Sequence, residues 1–134
     1  MTTETRLTIP GTAFDVHEAL RGLTEGALSA LAEAERTTAQ IVLAEVLNNI
    51  VEHAYAGQGG RIDLTLSTGA DGLRCVVTDC GVPMPSGRLP KGRSPRPGDL
   101  PQGGFGWFLI RSLARDLRYS REDGRNELSF RLPS

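Results

Sequence analysis

The stretch Gln40–Tyr55, QIVLAEVLNNIVEHAY, constrains this chain more than any other. Val42, Leu43, Val46, Leu47, Ile50 and Ala54 recur at three- and four-residue spacings, which predicts a helix with one broad apolar arc. Thr37, followed three residues later by Gln40, has the pattern of a capping box and predicts the helix start. Gly57-Gln58-Gly59-Gly60 predicts its end.

Opposite the arc lie Glu45, Asn49 and His53, each four residues after the last. Steps of four advance about 400° on a helix, so the three side chains form a slanted row on one face. A carboxylate, an amide and an imidazole in one row can serve as a base, a metal ligand and a polar contact. The same row also suits the wet side of an ordinary amphipathic helix. One detail favours chemistry: Asn48-Asn49 in mid-helix costs roughly half a kcal/mol per residue relative to Ala, so helix stability did not select it.

The elements around this helix follow from simpler patterns. Thr5–Ile9 alternates and predicts a short strand stopped by Pro10-Gly11. A helix is expected from about Phe14 to Ala34, burying Val16, Leu20, Leu23, Ala27 and Leu31 and weakened by Gly22 and Gly26. Arg61–Asp79 reads as a hairpin with one buried face, turning at Gly69–Gly72 and ending in Asp79-Cys80-Gly81. An Asp that closes a strand before a glycine is also a common turn former. Val82–Gln102 breaks every periodicity and holds six of the eight prolines. It carries Arg88, Lys91, Arg93 and Arg96 against the single acid Asp99, which suits a lid over an anion or a solvated excursion. Gly103-Gly104-Phe105-Gly106 then opens a helix through Ala114, a place where backbone N–H groups and the helix dipole favour a phosphate. The chain closes with a second hairpin, Leu117 and Tyr119 against Leu128, Phe130 and Leu132, turning at Asp123-Gly124. The order β-α-α-β-β-loop-α-β-β predicts an α/β two-layer sandwich, its mainly antiparallel mixed sheet covered on one face by helices.

Length and charge bound the rest. With 134 residues the chain is expected to form one domain with a real core, residues 1–134, including a lid loop at about 82–102. A formal charge of −1 argues against a nucleic-acid partner held by a general positive field. Cys75 and Cys80 match neither a redox pair nor a zinc quartet and read as reduced packing residues. The start, MTTETRLTIP, lacks a signal pattern and no apolar run approaches the ~20 residues of a membrane span, so a cytoplasmic protein without a membrane partner is expected.

Four signals occur in a fixed order: Glu45-x3-Asn49-x3-His53-Ala54-Tyr55, Asp79-x-Gly81, a lid-like loop, and Gly104-x-Gly106 opening a helix. The ordered set resembles the GHKL ATPase superfamily with its Bergerat ATP-binding fold, and within it the anti-sigma-factor serine/threonine protein kinases. The resemblance spans Thr5 to Leu132. It implies ATP and Mg²⁺ as cofactors, with Asn49 coordinating the Mg²⁺ and Asp79 accepting a hydrogen bond from the adenine amino group. Gly81 falls in the adenine-side turn. Gly104, Phe105 and Gly106 fall where glycine amides meet the phosphates. Glu45 matches the acidic residue proposed as general base, and His53 ends the first box in a structural or nucleotide-adjacent place. Departures from the family pattern are Pro83 in place of a second glycine, Trp107 in place of a leucine, and Arg125-Asn126-Glu127 in place of the Gly-Thr pair of the last strand. Asn126 is expected to stand in as the polar contact to the aspartate.

The implied activity is phosphorylation of a serine on an anti-anti-sigma (STAS-type) protein, coupled to sequestration of a sigma factor, with a homodimer also implied. Two other readings stay open: a non-catalytic ATP-sensing module that binds a partner, and a detached histidine-kinase catalytic domain. The latter usually carries Asn where this chain has Glu45, and it needs a phosphoacceptor hairpin.

Overall fold

The computed structural model describes residues 3–92 and 105–133. Five strands form one sheet: β1 (Thr3–Ile9), β2 (Ile62–Gly69), β3 (Gly72–Asp79), β4 (Arg115–Glu122) and β5 (Arg125–Leu132). Their spatial order is β1-β2-β3-β5-β4, and every pairing is antiparallel. Helices α1 (Ala13–Glu25), α2 (Glu33–Asn49) and α3 (Gly106–Leu113) complete the expected two-layer α/β sandwich.

Register explains how alternation in the sequence becomes a core. Residues directly opposite one another share a face of an antiparallel pair. Leu64 pairs with Val77 and Val77 with Leu128, while Leu66 pairs with Cys75 and Cys75 with Phe130. All of these are buried, facing Val42, Leu43, Val46 and Leu47 of α2, each essentially without exposure. The arc foreseen on the central helix is therefore the floor of the core, and α2 packs between α1 and α3.

The helix boundaries differ from expectation in three places. α2 begins at Glu33, not at a Thr37 capping box, and its N-cap Ala32 makes no side-chain capping bond. The extra turn, Glu33–Arg36, is polar and carries no periodic signal. α1 ends at Glu25 rather than near Ala34, because the chain turns at Gly26, whose N–H reaches back to the Gly22 and Leu23 carbonyls. Ala27 and Leu31 nonetheless pack against the core and Leu28 is fully buried, so the chain goes on burying apolar side chains after the helix itself has stopped. At the other end, α2 passes at Ile50 into one π turn, Ile50–Ala54, with Tyr55 N–H bonded to the Ile50 carbonyl at 3.0 Å. Asn48 and Asn49 thus sit at an α-to-π junction, not in mid-helix. Cys75 is a buried packing residue as expected, but Cys80 is exposed.

Of the segment Val82–Gln102, residues 82–92 are described and 93–102 lie outside the described residues, as do Gly103 and Gly104. The described part is docked: Arg111 of α3 donates to the Pro90 carbonyl at 2.8 Å and the Leu89 carbonyl at 3.3 Å.

Candidate functional site

A cavity of about 860 Å³ opens between α2, the ends of β3 and β5, and the start of α3. That volume lies within the range of small-molecule and cofactor sites. Glu45, Asn49, His53, Asp79, Phe105, Gly106 and Asn126 all line it, so residues spread across some eighty positions of sequence are brought together. Gly81 is not among the lining residues, and Gly104 lies outside the described residues.

At one end the core alternation of β3 is broken by a carboxylate. Asp79 is paired in register with Ile62 on one side and Asn126 on the other, so its side chain points to the helical layer like its apolar predecessors. It is only 5% exposed. Its Oδ1 accepts the Gly81 N–H at 2.8 Å and the Asn126 amide at 2.9 Å. Its Oδ2 has no hydrogen bond within the protein among the described residues and is not sealed from solvent, which leaves an acceptor for something in the cavity. Apolar side chains, Met84, Trp107, Leu109 and Leu128 among them, also line the cavity. Gly81 must be a glycine here, because a Cβ would collide with the carbonyl oxygen and Cβ of Ala54.

At the other end α2 presents Glu45 and Asn49, half-buried and one turn apart. Gly106 opens α3 directly against them: a Cβ on it would stand 2.5 Å from Glu45 Oε2 and 3.7 Å from Asn49 Nδ2. His53 lines the rim and is 75% exposed, within 3.9 Å of Glu52. The π turn that carries His53 is a rare element that recurs at functional sites. Here it is locked by Tyr55, whose hydroxyl donates to the Arg61 carbonyl at 2.6 Å and accepts from the Cys80 N–H at 2.8 Å. Burial raises the Tyr55 pKa above the ordinary value. One side chain thus ties the end of the helical row to the two strands that place Asp79.

The residues missed from sequence are Tyr119 and Arg121. Both reach Asn126 Oδ1, Tyr119 by its hydroxyl at 2.6 Å and Arg121 at 3.1 Å. A signal for Arg121 was present. A two-residue turn at Asp123-Gly124 places Arg121 opposite Asn126, as observed, and both turn residues have the positive φ of a type I′ hairpin.

An acceptor left open at one end and a polar shelf beneath a glycine helix start at the other are compatible with the GHKL class of ATPase module. Residues 9–132 match the histidine kinase-like ATPase domain family, and the chain belongs to that family. It is similar to the serine-protein kinase RsbW of Bacillus cereus (strain ATCC 10987 / NRS 248), 31% identical over 94 residues that cover 66% of this chain and 59% of the relative. It is also similar to the serine-protein kinase RsbW of Halalkalibacterium halodurans, 31% identical over 90 residues, covering 63% of this chain and 55% of the relative. The chain therefore matches a little over half the length of these curated relatives. No helix among the described residues is long and apolar enough to cross a membrane.

Proposed function

We propose that the cavity binds ATP with Mg²⁺ and that the chain transfers the γ-phosphoryl group to a serine of a protein partner. The observation that carries this reading is the divided state of Asp79: one oxygen held inside the protein, the other offered to an apolar slot. An exocyclic amino group of adenine is a donor that fits this acceptor. The triphosphate would then run toward Asn49, Glu45 and the N-terminus of α3, where backbone N–H groups favour anions.

The donors present suit Mg²⁺ held jointly with a nucleotide. Among the described residues no three His, Cys, Asp or Glu side chains cluster as a cage. Mg²⁺ commonly takes one or two protein oxygens and completes its shell with phosphates and water. The Asn49 side-chain oxygen, one helical turn from Glu45, is the ligand we assign, and the bound ion would neutralise phosphate charge. Glu45 would receive the proton of the attacking serine hydroxyl as its oxygen bonds to the γ-phosphorus and ADP departs. Phe105 and Gly106 would contribute the start of the phosphate-facing turn, with His53 at the rim.

The serine-kinase names of the relatives support a protein substrate rather than free hydrolysis. In this reading the substrate is a STAS-type anti-anti-sigma protein and the alternative partner a sigma factor, as in a partner-switching circuit acting in the cytoplasm. Calorimetry with ATP and Mg²⁺ tests the first step. Binding in the micromolar range that weakens in Asp79→Asn supports it, and folded protein that binds no nucleotide sinks it.

A further inference from the structure

Asn126 is a buried amide with three acceptors on one side and two donors on the other. It is 6% exposed. Its Nδ2 donates to Asp79 Oδ1 at 2.9 Å and the Val82 carbonyl at 3.0 Å, with the Gly81 carbonyl at 3.4 Å. Its Oδ1 accepts from Tyr119 and Arg121. The Tyr119 hydroxyl is itself committed, since it accepts the Met84 N–H at 3.0 Å and so has its proton free only for Asn126. Arg121 is also held by the Gly81 carbonyl at 2.6 Å and has no acceptor to offer. A flipped amide would point its NH₂ at two donors and its oxygen at a carboxylate and two carbonyls. The chemistry of the partners therefore admits one orientation.

We infer that Tyr119 and Arg121 clamp Asn126 as a positioning residue that sets nucleobase specificity by fixing which oxygen of Asp79 faces the cavity. The inference rests on the nucleotide-binding reading above and extends it to discrimination at the 6-position of the purine. With Asn126 and the Gly81 N–H both on Oδ1, the carboxylate cannot rotate without breaking both bonds, one buried and one part-buried. Oδ2 is then a fixed acceptor. A 6-amino purine donates to it, whereas a 6-oxo purine places an oxygen against it and leaves both unpaired. None of the three clamp residues needs to touch the base.

ATP and inosine triphosphate, which differ at that position, provide the test, measured as separate dissociation constants on wild-type and variant full chains. The wild type is expected to prefer ATP. Asn126→Ala is expected to weaken ATP by about tenfold, the loss of one well-made hydrogen bond at the base, while inosine triphosphate changes less than about twofold. Tyr119→Phe keeps the Arg121 contact and is expected to show the same asymmetry at a few-fold. Should Asn126→Ala fail to fold, Tyr119→Phe and Arg121→Met carry the test, since both residues sit on the edge strand β4 and neither is fully buried. Equal weakening of both nucleotides, or no change in their ratio, overturns the clamp while leaving nucleotide binding intact. A wild type that binds neither nucleotide overturns both.

Discussion

Gly106 and Glu45 are in contact across the mouth of the cavity, and the contact admits no side chain: a Cβ on Gly106 would lie 2.5 Å from Glu45 Oε2. The obstructed atom is the end of a flexible side chain and not backbone, so the fold can yield. Gly106→Ala should therefore leave stability within about 1 kcal/mol, with alanine's helix preference offsetting some of the strain. What must move is the Glu45 carboxylate, and displacement of a reacting group by about 1 Å costs on the order of 10²-fold in rate. Thermal melting combined with a phosphorylation assay on a captured antagonist checks this, and an unchanged rate would show that the position of Glu45 is immaterial.

Tyr55 couples pH to stability through the Cys80 N–H and the Arg61 carbonyl. Tyr55→Phe removes both bonds, each at an exposed position where water can take the partner's place, and should cost about 0.5–1.5 kcal/mol in urea denaturation at neutral pH. Burial holds the hydroxyl's pKa above its ordinary value, so the folded state keeps the proton longer than the unfolded chain. The stability from this group is then fully present below about pH 10 and is lost as pH rises through the higher folded value. Wild type should lose stability more steeply above about pH 10 than Tyr55→Phe. Parallel curves for the two would contradict the assignment.

The two thiols should separate cleanly. Cys80 is exposed, while Cys75 is buried in the core between Leu66 and Phe130, and burial alone pushes its thiol far above the ordinary value. The thiolate is the reactive form, so an alkylating reagent should modify Cys80 in the native protein and both cysteines only after denaturation. Mass spectrometry of the labelled peptides reads this directly. Native labelling of Cys75 would mean that the sheet opens locally.

Most of the fold was legible because its signals are local. The arc of α2 and the alternation of β2, β3 and β5 each follow from burying one face, which repeats every few residues. The start of α2 was not, because no residue of Glu33–Arg36 is fully buried and nothing in its pattern distinguishes a polar helical turn from a loop. The end of α1 was missed for the converse reason: Ala27 and Leu31 keep helical spacing and pack on the core after the helix has stopped, so periodicity reported burial and not backbone form. In the candidate site, Asp79 and the Glu45-Asn49 row stood out as polar residues where apolar or bland ones were expected. Tyr119 did not, since an aromatic on a strand is ordinary, and its bond to Asn126 becomes visible only when register and rotamer are known together. Arg121 was within reach of hairpin arithmetic alone.

Glu45 decides between a kinase and an ATP-sensing module. It lies one helical turn before Asn49, on the cavity wall, with no hydrogen-bond partner among the described residues to hold it in a structural role. A side chain kept for stability would be expected to bond within the protein, and among the described residues this half-buried carboxylate makes no such bond. Glu45→Gln retains the shape, the helix and any polar contact to water, and removes only the capacity to take a proton. Nucleotide binding and capture of the partner should therefore persist within about twofold, while phosphorylation of the captured antagonist falls by roughly 10²–10⁴-fold, the range for a lost general base. The comparison is made by single-turnover transfer of labelled phosphate at saturating ATP, which separates chemistry from binding. If the Gln variant transfers phosphate at close to the wild-type rate, the serine proton leaves by another route and Glu45 serves only to shape the shelf beneath α3.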